Sequence, residues 1–275
     1  MIRALKLEWL KVKNYRVFWI LTAMYLVALL LIASAGGLFL EWLKRQGADF
    51  DGIDPTIIPI FDFPDIWQNI TYLGSFVKIF LAFIVIISVN NDLTYNTLRQ
   101  NIIDGFSKKE FLTSKMMMIL AMALLSTIFI FIAGLINGTI YSHVFGTEVI
   151  FDEMEFLVAY FYEIVVYCTL AFLLALVIKK AGFVIVALFL YTIMFEPIAV
   201  AILENAPYFE NGIWSEIAQF FPVKSLNNLI KVPFGRYVFM EIEDNISLKA
   251  IAISMGWFVV YLSSISFILN KRDLK

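Results

Sequence analysis

The stretch NNDLTYNTLRQNIIDGFSKKEFLTSK, residues 90–115, is the one long polar segment between two apolar spans on the cation-rich side of the sequence. The chain around it is strongly apolar, since 61% of its 275 residues are hydrophobic, only 16% are charged and the mean hydropathy is +0.83. Soluble domains have about 45–50% apolar and about 25% charged residues. The composition therefore predicts a multi-pass membrane protein, in which residues 90–115 connect two spans.

Six apolar runs have the length of about 17–25 residues that a membrane-spanning helix needs. They lie at residues 17–40, 71–89, 116–141, 157–178, 181–202 and 248–269. We predict an all-α membrane protein in which residues 1–275 form a single transmembrane domain with six transmembrane helices.

Two further segments complete this layout. Residues 1–16 place leucines and Trp9 at helical spacing among cations, which predicts an amphipathic helix in the membrane interface. Residues 203–247 are aromatic, only moderately apolar and interrupted by prolines, and Pro222 would form the corner between short helices at 213–221 and 223–231. Such pieces are too short to span the membrane, so this segment is either re-entrant or an ordinary folded outer loop.

The distribution of Lys and Arg predicts the orientation. Fourteen of the twenty-one cations lie on the side that holds both termini, the 90–115 loop and the Lys179-Lys180 turn, whereas six lie on the opposite side. Cytoplasmic loops of membrane proteins are enriched in Lys and Arg. Both termini and residues 90–115 are therefore expected in the cytoplasm.

The sequence of residues 90–115 predicts a rigid element. Apolar residues recur at helical spacing from Leu93 to Ile103, which predicts a short amphipathic helix along the inner membrane face. Gly105 can adopt a positive φ and end this helix. Ser107 and Glu110 have the spacing of a capping box, so a new helix should begin near Lys108 and continue into the third span.

This pattern resembles the permease subunits of ABC-2-type transporters. The resemblance rests on Thr97-Leu98-Arg99 in a short cytosolic helix, on Gly105, and on Ser107-Lys108-Lys109-Glu110 before the third span. The six-span layout, the N-terminal interface helix and the broken outer segment at 203–247 also match that family. The chain departs from it at Asn90-Asn91-Asp92, where the family often has glutamates and a glycine.

The resemblance implies a coupling helix that sits in a cleft of a separate ATPase subunit. The residues expected to contact that subunit are Thr97, Leu98, Arg99, Ile102, Ile103 and Gly105. It further implies a second permease copy, in a homodimer or a related heterodimer, and a location in the bacterial cytoplasmic membrane. ATP and Mg²⁺ would be bound by the ATPase subunits, and no cofactor is expected in this chain.

The sequence lacks the motifs of several common enzyme classes. There is no GxxxxGK[ST] motif and no HExxH motif, and one His and one Cys provide no His/Cys metal cluster. We therefore expect no enzymatic activity in the chain, and interpret it as the permease of an ATP-driven exporter of an amphiphilic, antibiotic-like or lipid-like substrate. The alternative is a secondary transporter or a non-transporting membrane scaffold, for which inverted repeats or several midplane ionisable groups would be expected.

Three charged residues fall in the interior of the predicted spans, namely Lys78, Glu163 and Glu196, whereas Lys249 lies at the end of the sixth span. Such groups are costly in the bilayer and normally face a partner or a wet cavity. Their similar depth permits a pair of Lys78 with Glu163 or with Glu196, while the alternative is that Lys78 extends to the outer surface.

The third span contains the GxxxG sequence formed by Gly134 and Gly138. Small residues at this spacing allow close helix approach, either within the chain or between two copies. We expect packing within the chain.

Overall fold

The computed structural model describes residues 8–45, 61–95, 97–142, 146–205, 212–233 and 245–271. Within these ranges the chain is mainly helical and contains no strand. The helices are α1 (Arg16–Arg45), α2 (Ile66–Ser75), α3 (Lys78–Thr94), α4 (Thr97–Ile103), α5 (Lys108–Tyr141), α6 (Thr147–Ile150), α7 (Glu155–Val177), α8 (Ala181–Leu190), α9 (Glu196–Asn205), α10 (Ile213–Ala218), α11 (Pro222–Asn227) and α12 (Leu248–Lys271). A further helical segment covers residues 8–12.

Five helical stretches in the described part of the chain are long and apolar enough to cross a membrane. They are Arg16–Ser34, Lys108–Tyr141, Glu148–Val177, Ala181–Asn205 and Leu248–Lys271. The count rises to six if α2 and α3, which are bent by 42° relative to each other, form one broken span. The all-α membrane fold is thus confirmed, while the number of six spans stays a prediction.

Helix α7 is the centre of the bundle. It packs against α2, α3, α5, α8 and α12, and 72% of its most apolar stretch is buried inside the chain. A helix that is apolar around its whole circumference is normally surrounded by other helices. Its Tyr160 hydroxyl lies 3.0 Å from that of Tyr25 on α1 and 2.9 Å from the Ser126 hydroxyl on α5, which joins three spans by hydrogen bonds.

The helices at the predicted second span, 71–89, have other bounds than the prediction. The first of them, α2, begins earlier, at Ile66, and Phe76 and Val77 separate it from α3. The early start was missed because Gln68 and Asn69 weaken the apolar signal, although both side chains are only 3% exposed. Gln68 donates a hydrogen bond to the Lys231 carbonyl, 3.3 Å away, which connects α2 to the segment after α11.

The fifth span contains an irregular turn. A π-helical turn at Tyr191–Phe195 lies between α8 and α9, immediately before Glu196 and Pro197. Proline lacks a backbone N–H and its ring collides with the carbonyl four residues earlier, so a regular α-helix cannot continue unchanged through this position. Turns of this kind are frequent at functional sites.

The described part of residues 203–247 contains two six-residue helices, α10 and α11, on either side of Phe221. Phe221 is extended because a residue that precedes a proline is disfavoured in the helical region, and Pro222 then starts α11. The corner thus lies at the predicted position. Residues 206–211 and 234–244 lie outside the described part of the chain, and whether the segment is re-entrant or a folded outer loop stays open.

Candidate functional site

The short helix α4 occupies the centre of the 90–115 segment. Leu98 is only 2% exposed and packs into the core, whereas Arg99 is exposed and Ile103 is 74% exposed. Thr97 and Ile102 are half-buried. Leu98 therefore anchors the helix to its own chain, and in this conformation its side chain is not available to another subunit, contrary to the role expected for it. Of the predicted contact residues, Arg99 and Ile103 present the most side-chain surface.

A tight turn joins α4 to α5. Gly105 has a φ of +89°, its N–H bonds the Ile102 carbonyl at 3.1 Å, and the Phe106 N–H bonds the Asn101 carbonyl at 2.8 Å. These two bonds form a Schellman motif, which satisfies helix-terminal carbonyls and favours glycine at the left-handed position. The predicted role of Gly105 as the end of the helix is confirmed.

The start of α5 is held by the predicted capping box, which is confirmed. The Glu110 N–H donates to the Ser107 hydroxyl at 3.2 Å, and the Ser107 N–H donates to the Glu110 carboxylate at 2.7 Å. Helix α5 then continues for 34 residues, a length of about 50 Å. A displacement of the turn would therefore be transmitted along a helix that is long enough to cross the membrane.

A buried ion cluster lies at the base of this turn. Lys115 on α5 is completely buried, and its ammonium lies 2.6 Å from a carboxylate oxygen of Glu8 and 2.6 Å from one of Asp92. It also donates to the Ser88 hydroxyl at 2.8 Å. The ammonium of Lys11 lies 3.0 Å from Asp92 and 3.2 Å from Glu8. Two cations and two carboxylates thus balance each other, as burial requires.

The cluster joins three parts of the chain. Glu8 and Lys11 belong to the N-terminal helical segment, Asp92 to the last turn of α3, and Lys115 to the second turn of α5. Helix α4 and its turn are flanked by Asp92 and Lys115 in sequence, so both ends of the projecting segment are tied to the N-terminal segment.

The environment of Lys11 also perturbs its protonation. Burial by itself would lower the pKa of Lys11, but the carboxylate of Asp92 and then that of Glu8 outweigh it, so its pKa lies above the ordinary value of 10.5. Lys11 therefore remains charged at physiological pH. Below that ordinary pKa the ion pairs contribute fully to stability, and the contribution is lost only as the pH rises through the raised pKa.

Sequence reasoning missed this cluster. Lys115 carries a charge of the sign expected for a cytosolic loop, so its place in the sequence predicts an ordinary solvated cation. The available signal was Glu8, an acidic residue in a cation-rich segment with Lys11 one turn later. The spacing suggests only a local pair, because the contacts with Asp92 and Lys115 depend on helix packing that the sequence pattern does not show.

The three charged residues of the predicted spans, Lys78, Glu163 and Glu196, make two separate contacts. Lys78 on α3 forms an ion pair with Glu163 on α7, and both side chains are at least 93% buried. Lys78 also lies 3.4 Å from the Asn227 side-chain oxygen and 5.4 Å from the centre of the Tyr167 ring. Of the two pairings that the sequence allowed, the structure contains the one with Glu163.

Glu196 takes a different partner. Its carboxylate accepts the backbone N–H of Lys224 in the first turn of α11, at 2.6 Å. It thereby satisfies a helix-terminal donor that has no partner within α11. Glu196 thus connects α9 to α11, and Lys78 contacts the end of the same helix through Asn227.

The two GxxxG glycines pack within the chain. A Cβ atom at Gly134 would lie 2.6 Å from the Trp67 ring, and one at Gly138 would lie 2.2 Å from the Phe63 ring. Only glycine permits these approaches, which bring α5 against α2 and the residues before it. The expected packing within the chain is present.

These features define a class of protein, an α-helical multi-pass membrane protein in which a short helix with a tight turn joins α3 to α5 and paired charges lie in the core. The chain belongs to the family described as "Protein of unknown function (DUF2705)", whose model matches residues 58–274. No curated protein matches the chain. Among the described residues, no group of three or more His, Cys, Asp and Glu side chains could hold a metal ion.

Proposed function

We propose that this chain is the permease subunit of an ATP-driven ABC exporter, in which α4 is the coupling helix that contacts a separate ATPase subunit. The observation that carries the proposal is the construction of the projection: a short helix with exposed Arg99 and Ile103, closed by a Schellman turn and a capping box. A rigid projection with cationic and apolar surface suits a cleft in another protein better than it suits free solution.

The arrangement supports transmission of force in two directions. Movement of α4 would displace α5 directly, because the turn at Gly105 and the cap at Ser107 leave little slack between the two helices. The same movement would act on α3 and on the N-terminal segment through Asp92 and Lys115. ATP-driven closure of the ATPase subunits would then switch the cavity between the spans from inward to outward opening.

The remaining parts of the proposal follow the membrane layout. We propose six spans, with α2 and α3 as one broken span, both termini in the cytoplasm and a second permease copy completing the transporter. ATP and Mg²⁺ would be bound by the ATPase subunits. The substrate class is an amphiphile, antibiotic-like or lipid-like, since only Lys78, Glu163 and Glu196 bring charge into the interior of the predicted spans, apart from Lys249 at the very end of the sixth.

Co-purification with an ATPase subunit tests the proposal. The full chain, tagged and expressed in its native membrane, is expected to retain a subunit that carries a P-loop sequence and hydrolyses ATP. Arg99→Glu and Ile103→Asp change exposed side chains and should release that subunit without unfolding the permease. Leu98→Asp is unsuitable for this purpose because Leu98 is buried.

Lys180→Glu is the matched control for Arg99→Glu, because it reverses an exposed charge at a second tip on the same proposed membrane side. It should leave the ATPase bound. Retention of the ATPase by both α4 variants would contradict the coupling role. Failure to find an ATPase, together with substrate movement by the purified chain alone, would favour a secondary transporter. If neither an ATPase subunit nor substrate movement were found, a non-transporting scaffold would be favoured.

A further inference from the structure

A cavity of about 290 Å³ lies between the N-terminal segment, α1 and α3. One side is apolar and is formed by Val12, Phe18, Leu21, Ile84 and Ile87. This volume is at the lower end of the range of about 300–1,000 Å³ for small-molecule sites. An elongated hydrocarbon chain suits such a site better than a bulky polycyclic molecule.

The other end of the cavity is polar and charged. Lys11, Ser88, Asn91, Asp92 and Thr97 line it. The side chain of Lys11 keeps 30% of its surface exposed even though its ammonium contacts two carboxylates. The cavity is therefore amphipathic along its length, with its polar end beside the buried ion cluster and the first residue of α4.

The charges of the ion cluster at this polar end cancel, because Asp92 is shared between Lys115 and Lys11 and Glu8 is paired with the same two lysines. The further charge next to the cavity is positive. Lys13 and Arg16 do not line the cavity, but they lie on either side of Tyr15, which does, and both are exposed. An anionic head group would meet this surplus, whereas a cationic one would be repelled.

Two tryptophans beside the cavity favour a location at the membrane surface, although they do not line it. The rings of Trp9 and Trp19 meet edge to face with centroids 6.1 Å apart, and Trp19 also packs on Phe18 at 5.4 Å. The Trp19 indole N–H donates to the Lys13 carbonyl at 2.7 Å. Tryptophan is enriched at the level of the lipid head groups, where its ring is apolar and its N–H is polar.

We propose that this cavity binds an anionic phospholipid of the cytosolic leaflet, with one acyl chain along Phe18, Leu21 and Ile87 and the phosphate near Lys11, Lys13 and Arg16. The cytosolic leaflet supplies such lipids at high local concentration, and basic segments next to the membrane attract them. The inference depends on the membrane orientation and not on the ABC assignment, so it stands whether or not an ATPase subunit is found.

Thermal unfolding of the purified full chain in detergent tests the site. Dioleoyl phosphatidylglycerol should raise the unfolding temperature in a saturable manner, and dioleoyl phosphatidylcholine, which has the same acyl chains and no net charge, should raise it less. Lys11→Gln and Lys13→Gln should each weaken the phosphatidylglycerol response about fivefold in apparent Kd, the contribution typical of one cation at a membrane surface.

Two variants distinguish lipid binding in this cavity from general electrostatic attraction of the lipid to the protein surface. Ile87→Trp fills the apolar side without touching the ion cluster, so it should abolish the lipid response while the lipid-free protein stays folded. Lys109→Gln removes an exposed cation of the same proposed membrane side that belongs to α5, whereas Lys13 lies between the lining residues Val12 and Tyr15. It should respond as the wild type does.

Equal responses to the two lipids would overturn the proposal, as would an unchanged response in Ile87→Trp. A loss in Lys109→Gln equal to that in Lys13→Gln would also overturn it, because the attraction would then be diffuse. The Lys11→Gln protein has lost part of the ion cluster, so Lys13→Gln and Ile87→Trp decide the question if that variant unfolds.

Discussion

Lys115 of α5 and Glu8 of the N-terminal segment form a buried ion pair with 2.6 Å between the ammonium nitrogen and the nearer carboxylate oxygen. The same ammonium lies 2.6 Å from Asp92 at the end of α3. One side chain therefore holds three segments together, at the point where the proposed coupling helix leaves the bundle. A cation in this position is part of the core, even though its place in the sequence is that of a loop residue.

Replacing Lys115 by Met should destabilise the chain strongly. The variant leaves Glu8 and Asp92 with Lys11 as their only remaining cation in the cluster, and breaking a buried ion pair from one side costs about 3–5 kcal/mol. Denaturant-induced unfolding in detergent, followed by tryptophan fluorescence, measures the loss.

Lys109→Met is the matched control, since it is the same substitution at an exposed position of the same helix. The double variant Lys115→Met with Glu8→Gln removes one charge of each sign and should be more stable than Lys115→Met alone. Equal stabilities of the Lys115 and Lys109 variants, or strictly additive effects in the double variant, would show that the pair is not coupled.

The fold was largely predictable because apolar length and capping are local properties of the sequence. Ser107 and Glu110 are three residues apart, and Gly105 precedes them, so the end of α4 and the start of α5 could be placed from adjacent residues. The start of α2 was less predictable, since Gln68 and Asn69 are polar residues whose burial depends on neighbouring helices.

The candidate site was predictable only where it is exposed. Arg99 and Ile103 have the surface expected of a contact residue, whereas Leu98 shares their pattern and is buried. The amphipathic spacing predicts that one face of α4 is apolar, but it does not distinguish an apolar residue that packs on its own chain from one that meets a partner. The positions of Asp92 and Lys115 in the ion cluster depend likewise on contacts distant in sequence.

The intramembrane pair of Lys78 and Glu163 gives a second prediction. Lys78→Met leaves a carboxylate buried among helices without its cation, so we expect a loss of several kcal/mol in the free energy of unfolding. Lys78→Met combined with Glu163→Leu removes both charges and replaces them by apolar groups, which should recover most of that loss.

Lys180→Met provides the comparison, because Lys180 is exposed at the turn before α8. Unfolding in detergent is again the measurement. If Lys78 instead extended to the membrane surface and did not pair with Glu163, the single variant would behave as Lys180→Met does, and the double variant would show no coupling between the two substitutions.

The GxxxG glycines give a third prediction. Gly138→Ala should destabilise the chain by about 1–3 kcal/mol, because the added methyl group would overlap the Phe63 ring and the packing must shift. Gly134→Ala should act in the same direction through Trp67. Gly256→Ala, in the interior of α12 with no atom within 4 Å of the added Cβ, should leave stability unchanged or raise it slightly.

The glycine variants also separate packing within the chain from packing between copies. Size-exclusion chromatography with light scattering should find the same oligomeric state in Gly138→Ala as in the wild type, provided that the variant is measured in its folded state. If Gly138→Ala unfolded at the wild-type temperature but no longer formed a dimer, the glycines would instead belong to an interface between two copies.

The turn between α4 and α5 gives the last prediction. Ser107→Ala removes one bond of the capping box and should cost about 1 kcal/mol, as loss of an N-cap side chain typically does. The loss should be local, so hydrogen–deuterium exchange of the first turn of α5 should accelerate while exchange in α7 stays unchanged.

At Gly105, with φ of +89°, Asn should be tolerated better than Val, because Asn adopts the left-handed region more readily and a β-branched residue does not. The space around a Cβ at Gly105 is open, so a difference between Asn and Val reports backbone strain rather than collision. Equal exchange rates in Gly105→Asn and Gly105→Val would mean that the turn relaxes freely, and a turn that relaxes freely could not transmit force from α4 to α5.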